Sequence, residues 1–186
     1  DGTVYLLVTT HSLQGVDLDA TRKPTVKFGQ KKPGDPQSGS QYLYKVTGKE
    51  ASVSQFGLND HPDLCVLKLS PQSKENQLEM KEPPCSFYNP EKHTSKIKGL
   101  YFLGCSGSYV TVSTPDDRQP IHVGTDHISL SMNTRHGASG GVLVAELESG
   151  EMVKLGVLSG KLNLPGGEAS NRSHFMLPGE DSVTSF

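Results

Sequence analysis

The sequence of 186 residues contains no tryptophan, only 3 cysteines and no long run of hydrophobic residues. A membrane-spanning helix needs about 20 consecutive apolar residues, so the absence of such a run excludes one. The 18 lysine and arginine residues nearly balance the 20 aspartate and glutamate residues, which leaves no excess of positive charge for nucleic acid. We therefore expect neither a membrane segment nor a nucleic acid partner.

The cysteines are few and widely separated. Cys65, Cys85 and Cys105 form neither a C-x-x-C pair nor an even set, unlike the cysteines of a disulfide framework. Chains of this kind are typical of a reducing compartment. We therefore expect an intracellular protein, in the cytoplasm or the nucleus.

Short β-strands are predicted along nearly the whole chain. Its 20 glycines and 12 prolines punctuate runs rich in β-branched and aromatic residues, which is typical of all-β proteins. Twelve such runs are Val4–Thr9, Thr25–Phe28, Tyr42–Val46, Ala51–Phe56, Leu64–Leu69, Ile97–Leu103, Tyr109–Ser113, Ile121–Val123, His127–Met132, Val142–Glu146, Met152–Leu158 and Ser173–Leu177. We predict one domain over residues 1–186, built as one barrel or as two small barrels at roughly 1–80 and 95–186.

Three short segments carry residues suited to nucleophilic chemistry. His11 follows an apolar strand, Asp63 precedes another, and Ser139 lies among glycines directly before a third. A serine hydroxyl becomes a good nucleophile only when a base removes its proton, and a carboxylate can orient that base. The order His, Asp, Ser along the chain fits one of the known arrangements of this triad. Gly137 would let its own N–H and that of Ser139 point at one spot, where an oxyanion could bind.

The same residues admit two other assignments. Residues 137–141 match G-x-S-x-G, the nucleophile elbow of α/β-hydrolases, which requires a following helix and then an acid before a histidine. Here a strand follows, and His174 precedes Asp181, so the sequence excludes that fold. Asp60 competes with Asp63 as the orienting acid, but Asp60 lies in a predicted loop and Asp63 is preferred.

The chain resembles the chymotrypsin- and trypsin-like serine proteases, and among them the intracellular trypsin-like peptidases. The matching segments are Asp1–Leu13 (DGTVYLLVTTHSL), Asp63–Leu69 (DLCVLKL), Arg135–Gly141 (RHGASGG), Leu155–Gly160 (LGVLSG) and Ser173–Pro178 (SHFMLP). The resemblance implies an all-β fold of two six-stranded antiparallel β-barrels, the first of which lacks its N-terminal strands. It also implies a serine endopeptidase with Ser139 as nucleophile, His11 as general base and acid, and Asp63 as the orienting carboxylate.

The resemblance further implies where a protein or peptide substrate binds. The backbone N–H groups of Gly137 and Ser139 would form the oxyanion hole. The backbone of the peptide would pair with Leu158, Ser159 and Gly160. Asn133, 6 residues before the serine, would form the floor of the primary specificity pocket, and a neutral residue there argues against a preference for lysine or arginine.

The chain departs from that family in three places. It starts at the turn Asp1–Gly2, where the family has two earlier strands, so we expect it to be part of a larger chain. Ser12 stands where secreted members have a cysteine. Ala138 replaces the aspartate that receives the new N-terminus in zymogen-type enzymes, so packing, a ligand or another domain must order the oxyanion loop.

Other sites and functions are weighed against this interpretation. His122, His127 and His136 lack the spacing of a defined metal-ligand set, so we expect no metal and no cofactor. A non-catalytic domain that kept the fold to bind peptides, or to serve in a scaffold, stays open. So does a viral protease that processes its own polyprotein, which a cleavage site just before Asp1 would favour.

Overall fold

A computed structural model describes residues 2–31, 39–53, 63–74, 77, 85–106, 109–124, 127–135, 137–161 and 172–177. The strands are β1 (Val4–Val8), β2 (Thr25–Lys31), β3 (Gly39–Val53), β4 (Leu64–Pro71), β5 (Ile97–Ser106), β6 (Tyr109–Ser113), β7 (His122–Val123), β8 (His127–Ser131), β9 (Val142–Leu147), β10 (Met152–Lys161) and β11 (Arg172–Met176). A 3₁₀ turn at Thr10–Leu13 follows β1, and no α-helix occurs in the described ranges. The predicted all-β class is confirmed.

The strands form two antiparallel sheets. The first, in the order β1-β4-β3-β2, is a half-barrel with the four strands expected of a barrel that lacks two. The second has the order β6-β5-β9-β10-β11-β8-β7, one strand more than the six expected, because the two-residue β7 extends its edge. Four consecutive strands of the second sheet, in the order β8-β11-β10-β9, repeat the connectivity of the first.

One strand, β3, replaces two that were predicted separately, at Tyr42–Val46 and Ala51–Phe56. Its pairing with β4 shifts register between Val46 and Gly48 and again between Lys49 and Ala51. Such bulges interrupt the alternation of inward and outward side chains, so one bent strand has the pattern of two. Residues 54–56 lie outside the described residues.

Each sheet has its own hydrophobic core, and a smaller cluster joins the two. The first core contains Tyr44, Val46, Cys65, Leu67 and Leu69, and the second is built around Phe102, Leu130, Leu143, Leu155 and Phe175. The joining cluster consists of Leu64 from the first sheet with Val157 and Met176 from the second, and Leu7 packs against it. Because burial of such aliphatic side chains contributes about 1.5–3 kcal/mol each, this contact fixes the start of β4 against the middle of β10.

The described residues contain no helix that is both long and apolar enough to cross a membrane. None of the three cysteines forms a disulfide: Cys65 is buried, Cys85 half-buried and Cys105 exposed.

Candidate active site

His11 and Asp63 lie side by side, as the sequence predicts, because β1 and β4 are neighbours in the first sheet. The end of β1 is attached to the start of β4 by a hydrogen bond from the Thr10 N–H to the Asp63 carbonyl, at 3.3 Å. The chain then turns through Thr10–Leu13, which brings the histidine over the aspartate. The His11 backbone N–H donates to Asp63 Oδ1 at 2.9 Å, and His11 Nδ1 lies 2.5 Å from Asp63 Oδ2.

This two-point contact sets the tautomer of the His11 ring. An ionised carboxylate can only accept hydrogen bonds, so the proton between the two side chains belongs to Nδ1. In the neutral ring the other nitrogen, Nε2, is then left with a lone pair, which is the state that a general base requires. The His11 side chain is 26% exposed and that of Asp63 is 8% exposed, so the base can be reached from solvent while its partner is covered.

A third side chain, Ser159, completes the surroundings of Asp63. Its hydroxyl donates to Asp63 Oδ2 at 2.7 Å, and both residues are buried. Ser159 lies in β10, where the pairing with β11 shifts register between Leu158 and Gly160. A bulge of this kind re-aims a side chain, here from the second sheet towards the aspartate of the first.

Ser139 is attached to the same position of β10. Its hydroxyl donates to the carbonyl oxygen of Ser159 at 3.3 Å. Beside it, the Gly140 N–H donates to the Leu158 carbonyl and the Leu158 N–H donates to the Gly141 carbonyl, both at 2.8 Å. The structure thus brings Asp63, Ser159 and Ser139 into one chain of hydrogen bonds that crosses from the first sheet to the second.

Two N–H groups of the loop before β9 have no acceptor in the described part of the chain. The N–H groups of Ala138, Gly140 and Gly141 donate to the carbonyls of Arg135, Leu158 and Ala138, respectively. The N–H groups of Gly137 and Ser139 donate to no acceptor among the residues that the structure describes. These are the two N–H groups that the sequence assigns to an oxyanion hole.

Gly137 has a backbone conformation that favours glycine. The bond from the Ala138 N–H to the Arg135 carbonyl, at 3.1 Å, closes a four-residue turn with Gly137 in its third position. Its φ of 84° is a positive value that glycine adopts at no steric cost.

The predicted substrate-binding strand is only partly available. Leu158 is 1% exposed, and both of its backbone groups bond to the loop, so it holds Ser139 in place and offers a peptide nothing. The paired register of β9 with β10 ends at Val157, whereas Gly160 and Lys161 pair with β11 alone. Among the described strands, the other edge of Ser159–Lys161 is therefore uncovered, next to Ser139.

The predicted specificity residue, Asn133, is exposed, and its neighbour Thr134 is the buried polar side chain of this segment. The Thr134 and Ser173 hydroxyls lie 2.9 Å apart, and Ser173 donates to the Met132 carbonyl at 2.8 Å. Sequence reasoning missed this network and the bond from Ser159 to Asp63, because both depend on register between strands distant in sequence. The only local signal is a serine or threonine inside an otherwise apolar run.

Three other histidines, His122, His127 and His174, lie on β7, β8 and β11, and His174 pairs with Gly160 of the predicted substrate-binding strand. The rings of His122 and His127 stack with their centroids 5.4 Å apart, and those of His127 and His174 lie 4.5 Å apart. No group of three or more His, Cys, Asp or Glu side chains in the described part of the chain could hold a metal ion. His136 and Asp60 lie outside the described residues.

Neither protein-family models nor curated proteins give a match to this chain. The geometry of the site is therefore the basis for proposing its chemistry.

Proposed function

We propose that the protein is a serine endopeptidase that hydrolyses peptide bonds through an acyl-enzyme on Ser139. The observation that carries this proposal is the hydrogen-bonded series from His11 through Asp63 and Ser159 to Ser139. It links a base of defined tautomer, a covered carboxylate and a hydroxyl where residues of the two sheets meet.

In the first step, the Ser139 hydroxyl turns from the Ser159 carbonyl towards His11 and gives its proton to Nε2. The oxygen attacks the carbonyl carbon of the peptide bond, and the negative charge that develops on the carbonyl oxygen is stabilised by the N–H groups of Gly137 and Ser139. Asp63 stabilises the imidazolium that forms. Each oxyanion donor of this type is worth about 100- to 1000-fold in rate.

In the second step, the tetrahedral intermediate collapses, and His11 gives its proton to the leaving amine, which frees the C-terminal fragment. Water then gives a proton to His11 and attacks the acyl carbon, and Ser139 recovers its hydrogen as the acid departs. The edge of Ser159–Lys161 that no described strand covers suits an extended peptide, which would add to β10 by main-chain hydrogen bonds. A protein or peptide substrate is thus the proposed partner.

The test is cleavage of a mixture of unstructured peptides by the purified chain, with products identified by mass spectrometry. Hydrolysis should fall to background in Ser139→Ala and in His11→Ala. Ser149→Ala is the matched control, because Ser149 is exposed in the turn between β9 and β10, and it should retain full activity. A folded chain that binds these peptides without cutting them would overturn the proposal in favour of a peptide-binding domain.

The place of the protein in the cell is a separate proposal. Three cysteines without a disulfide, one of them exposed at Cys105, fit a reducing compartment, and we propose the cytoplasm or nucleus. Imaging of the full protein with an epitope tag tests this, and secretion into the medium would contradict it.

A further inference from the structure

We infer that core packing of the Ala138 methyl group holds the proposed oxyanion loop in its working conformation, so that the site needs no activating ion pair. This inference rests on the proposed function and concerns the regulation of the same site. Ala138 is a positioning residue here, because its side chain touches the core and not the reacting atoms.

Ala138 is the anchor of its loop. It is 6% exposed and belongs to the core cluster of the second sheet, together with Leu130, Leu158 and Phe175. Among the described neighbours, Arg135, Gly137 and Gly140 are exposed and Ser139 is half-buried. Of the described residues 135 and 137–140, only Ala138 is buried in the core, through its methyl group.

That anchor lies between the two proposed oxyanion donors. The peptide N–H groups of Gly137 and Ser139 flank Ala138 in the chain, so their directions depend on how residue 138 is held. Both backbone groups of Ala138 are also used, its N–H towards Arg135 at 3.1 Å and its carbonyl towards Gly141 at 3.0 Å. The methyl group and these two bonds fix residue 138 at three points.

The chemistry of the anchor decides how the loop is regulated. An apolar methyl group in an apolar cluster can neither attract nor pair with an ammonium group, whereas a carboxylate at this place would be unstable without a cation. The loop thus gains its order when the second sheet folds. We expect equal activity whatever residues precede Asp1, since no N-terminal amine has to reach the loop.

The test compares Ala138→Gly with Ala145→Gly. Ala145 is 0% exposed in the same core but lies in β9, so both variants lose one buried methyl group and gain one glycine. We expect both to lose similar thermal stability. Only Ala138→Gly should lose kcat, by about tenfold with little change in KM, since loosening two donors costs less than removing one outright.

Two further measurements separate the possible failures. In ¹⁵N relaxation, the amides of Gly137 and Ser139 should be ordered in the parent chain and in Ala145→Gly but mobile in Ala138→Gly, a readout independent of activity. Chains with and without added N-terminal residues should cleave peptide at equal rates. Three outcomes would overturn the inference while the protease proposal stands. They are an unchanged kcat in Ala138→Gly, an equal loss of kcat in both glycine variants, and an activity that depends on the N-terminal residues. An inactive but folded parent would instead defeat the proposed function.

Discussion

Replacement of Ser159 by alanine tests the link that joins the two halves of the site. The Ser159 hydroxyl donates to Asp63 Oδ2 at 2.7 Å, with Ser159 8% and Asp63 6% exposed. Hydrogen bonds to charged groups contribute about 1.5–3 kcal/mol, and a buried acceptor that loses its donor pays most of that amount. For a chain of this length, a loss of about 2 kcal/mol lowers Tm by roughly 4–8 °C.

The same substitution should lower activity through the position of His11. Asp63 keeps its two bonds to His11 but loses the donor that fixes its other side, so we expect kcat to fall on the order of tenfold. Loss of the acid itself would cost about 10⁴-fold. Calorimetry and peptide hydrolysis measure the two effects, and KM should change little.

A matched serine–aspartate pair provides the control. The Ser131 hydroxyl donates to Asp116 Oδ2 at 2.9 Å on the exposed side of the second sheet, so Ser131→Ala should change stability by less than about 0.5 kcal/mol and leave kcat unchanged. In a double-mutant cycle, Ser159→Ala and Asp63→Asn should be non-additive because both act on the same bond, the first by removing its donor and the second by removing the charge of its acceptor. An unchanged Tm and kcat in Ser159→Ala, or full additivity, would refute this reasoning.

Three other perturbations have defined outcomes. Asp63→Asn should keep the fold but lower kcat by about 10³- to 10⁴-fold in steady-state hydrolysis, because the amide can leave His11 in the wrong tautomer; near-normal kcat would contradict its role. Gly137 and Gly150 both have a positive φ, of 84° and 85°, with open space for a new methyl group. Replacement of either by alanine should lower the free energy of unfolding by about 1–2 kcal/mol in denaturant, but only Gly137→Ala should also lower kcat. Equal kcat in both variants would exclude Gly137 from the proposed oxyanion hole. The Lys98 ammonium donates to Glu146 at 2.8 Å, and this bond holds the pKa of the Glu146 carboxyl below its ordinary value and raises the pKa of Lys98 above its own. The pair therefore adds stability at neutral pH that fades as pH falls through the pKa of Glu146 or rises through that of Lys98; an NMR titration should show the Lys98 pKa falling back in Glu146→Gln, and no change would contradict the pairing.

Sequence patterns predict the strands of this fold well and its bulges poorly. Runs such as Leu64–Leu69 and Val142–Glu146 alternate or accumulate apolar residues, and both lie in strands. The double bulge in β3 and the bulge at Ser159 break the alternation, so β3 has the pattern of two strands and the predicted β10 stops at Leu158 although it runs to Lys161. Bulges depend on the partner strand, which a single sequence does not display.

In the candidate site, too, local segments were predictable from the sequence, whereas contacts between strands were not. His11, Asp63 and Ser139 were located from local segments, since each has a recognisable neighbour pattern. The bond from Ser159 to Asp63 and the burial of Ala138 depend on where β10 and the core of the second sheet lie, so they emerge only from the three-dimensional arrangement. The sequence left open whether packing, a ligand or another domain orders the oxyanion loop, and only the three-dimensional arrangement can distinguish these.

The central claim is that His11 and Asp63 activate Ser139 as a nucleophile. The most direct measurement is reaction with a fluorophosphonate, followed by intact-mass analysis and peptide mapping. We predict one adduct per chain, on Ser139, absent in Ser139→Ala, strongly slowed in His11→Ala and unaffected in Ser149→Ala. A folded chain that takes up no probe, or takes it up at another serine, would contradict the claim.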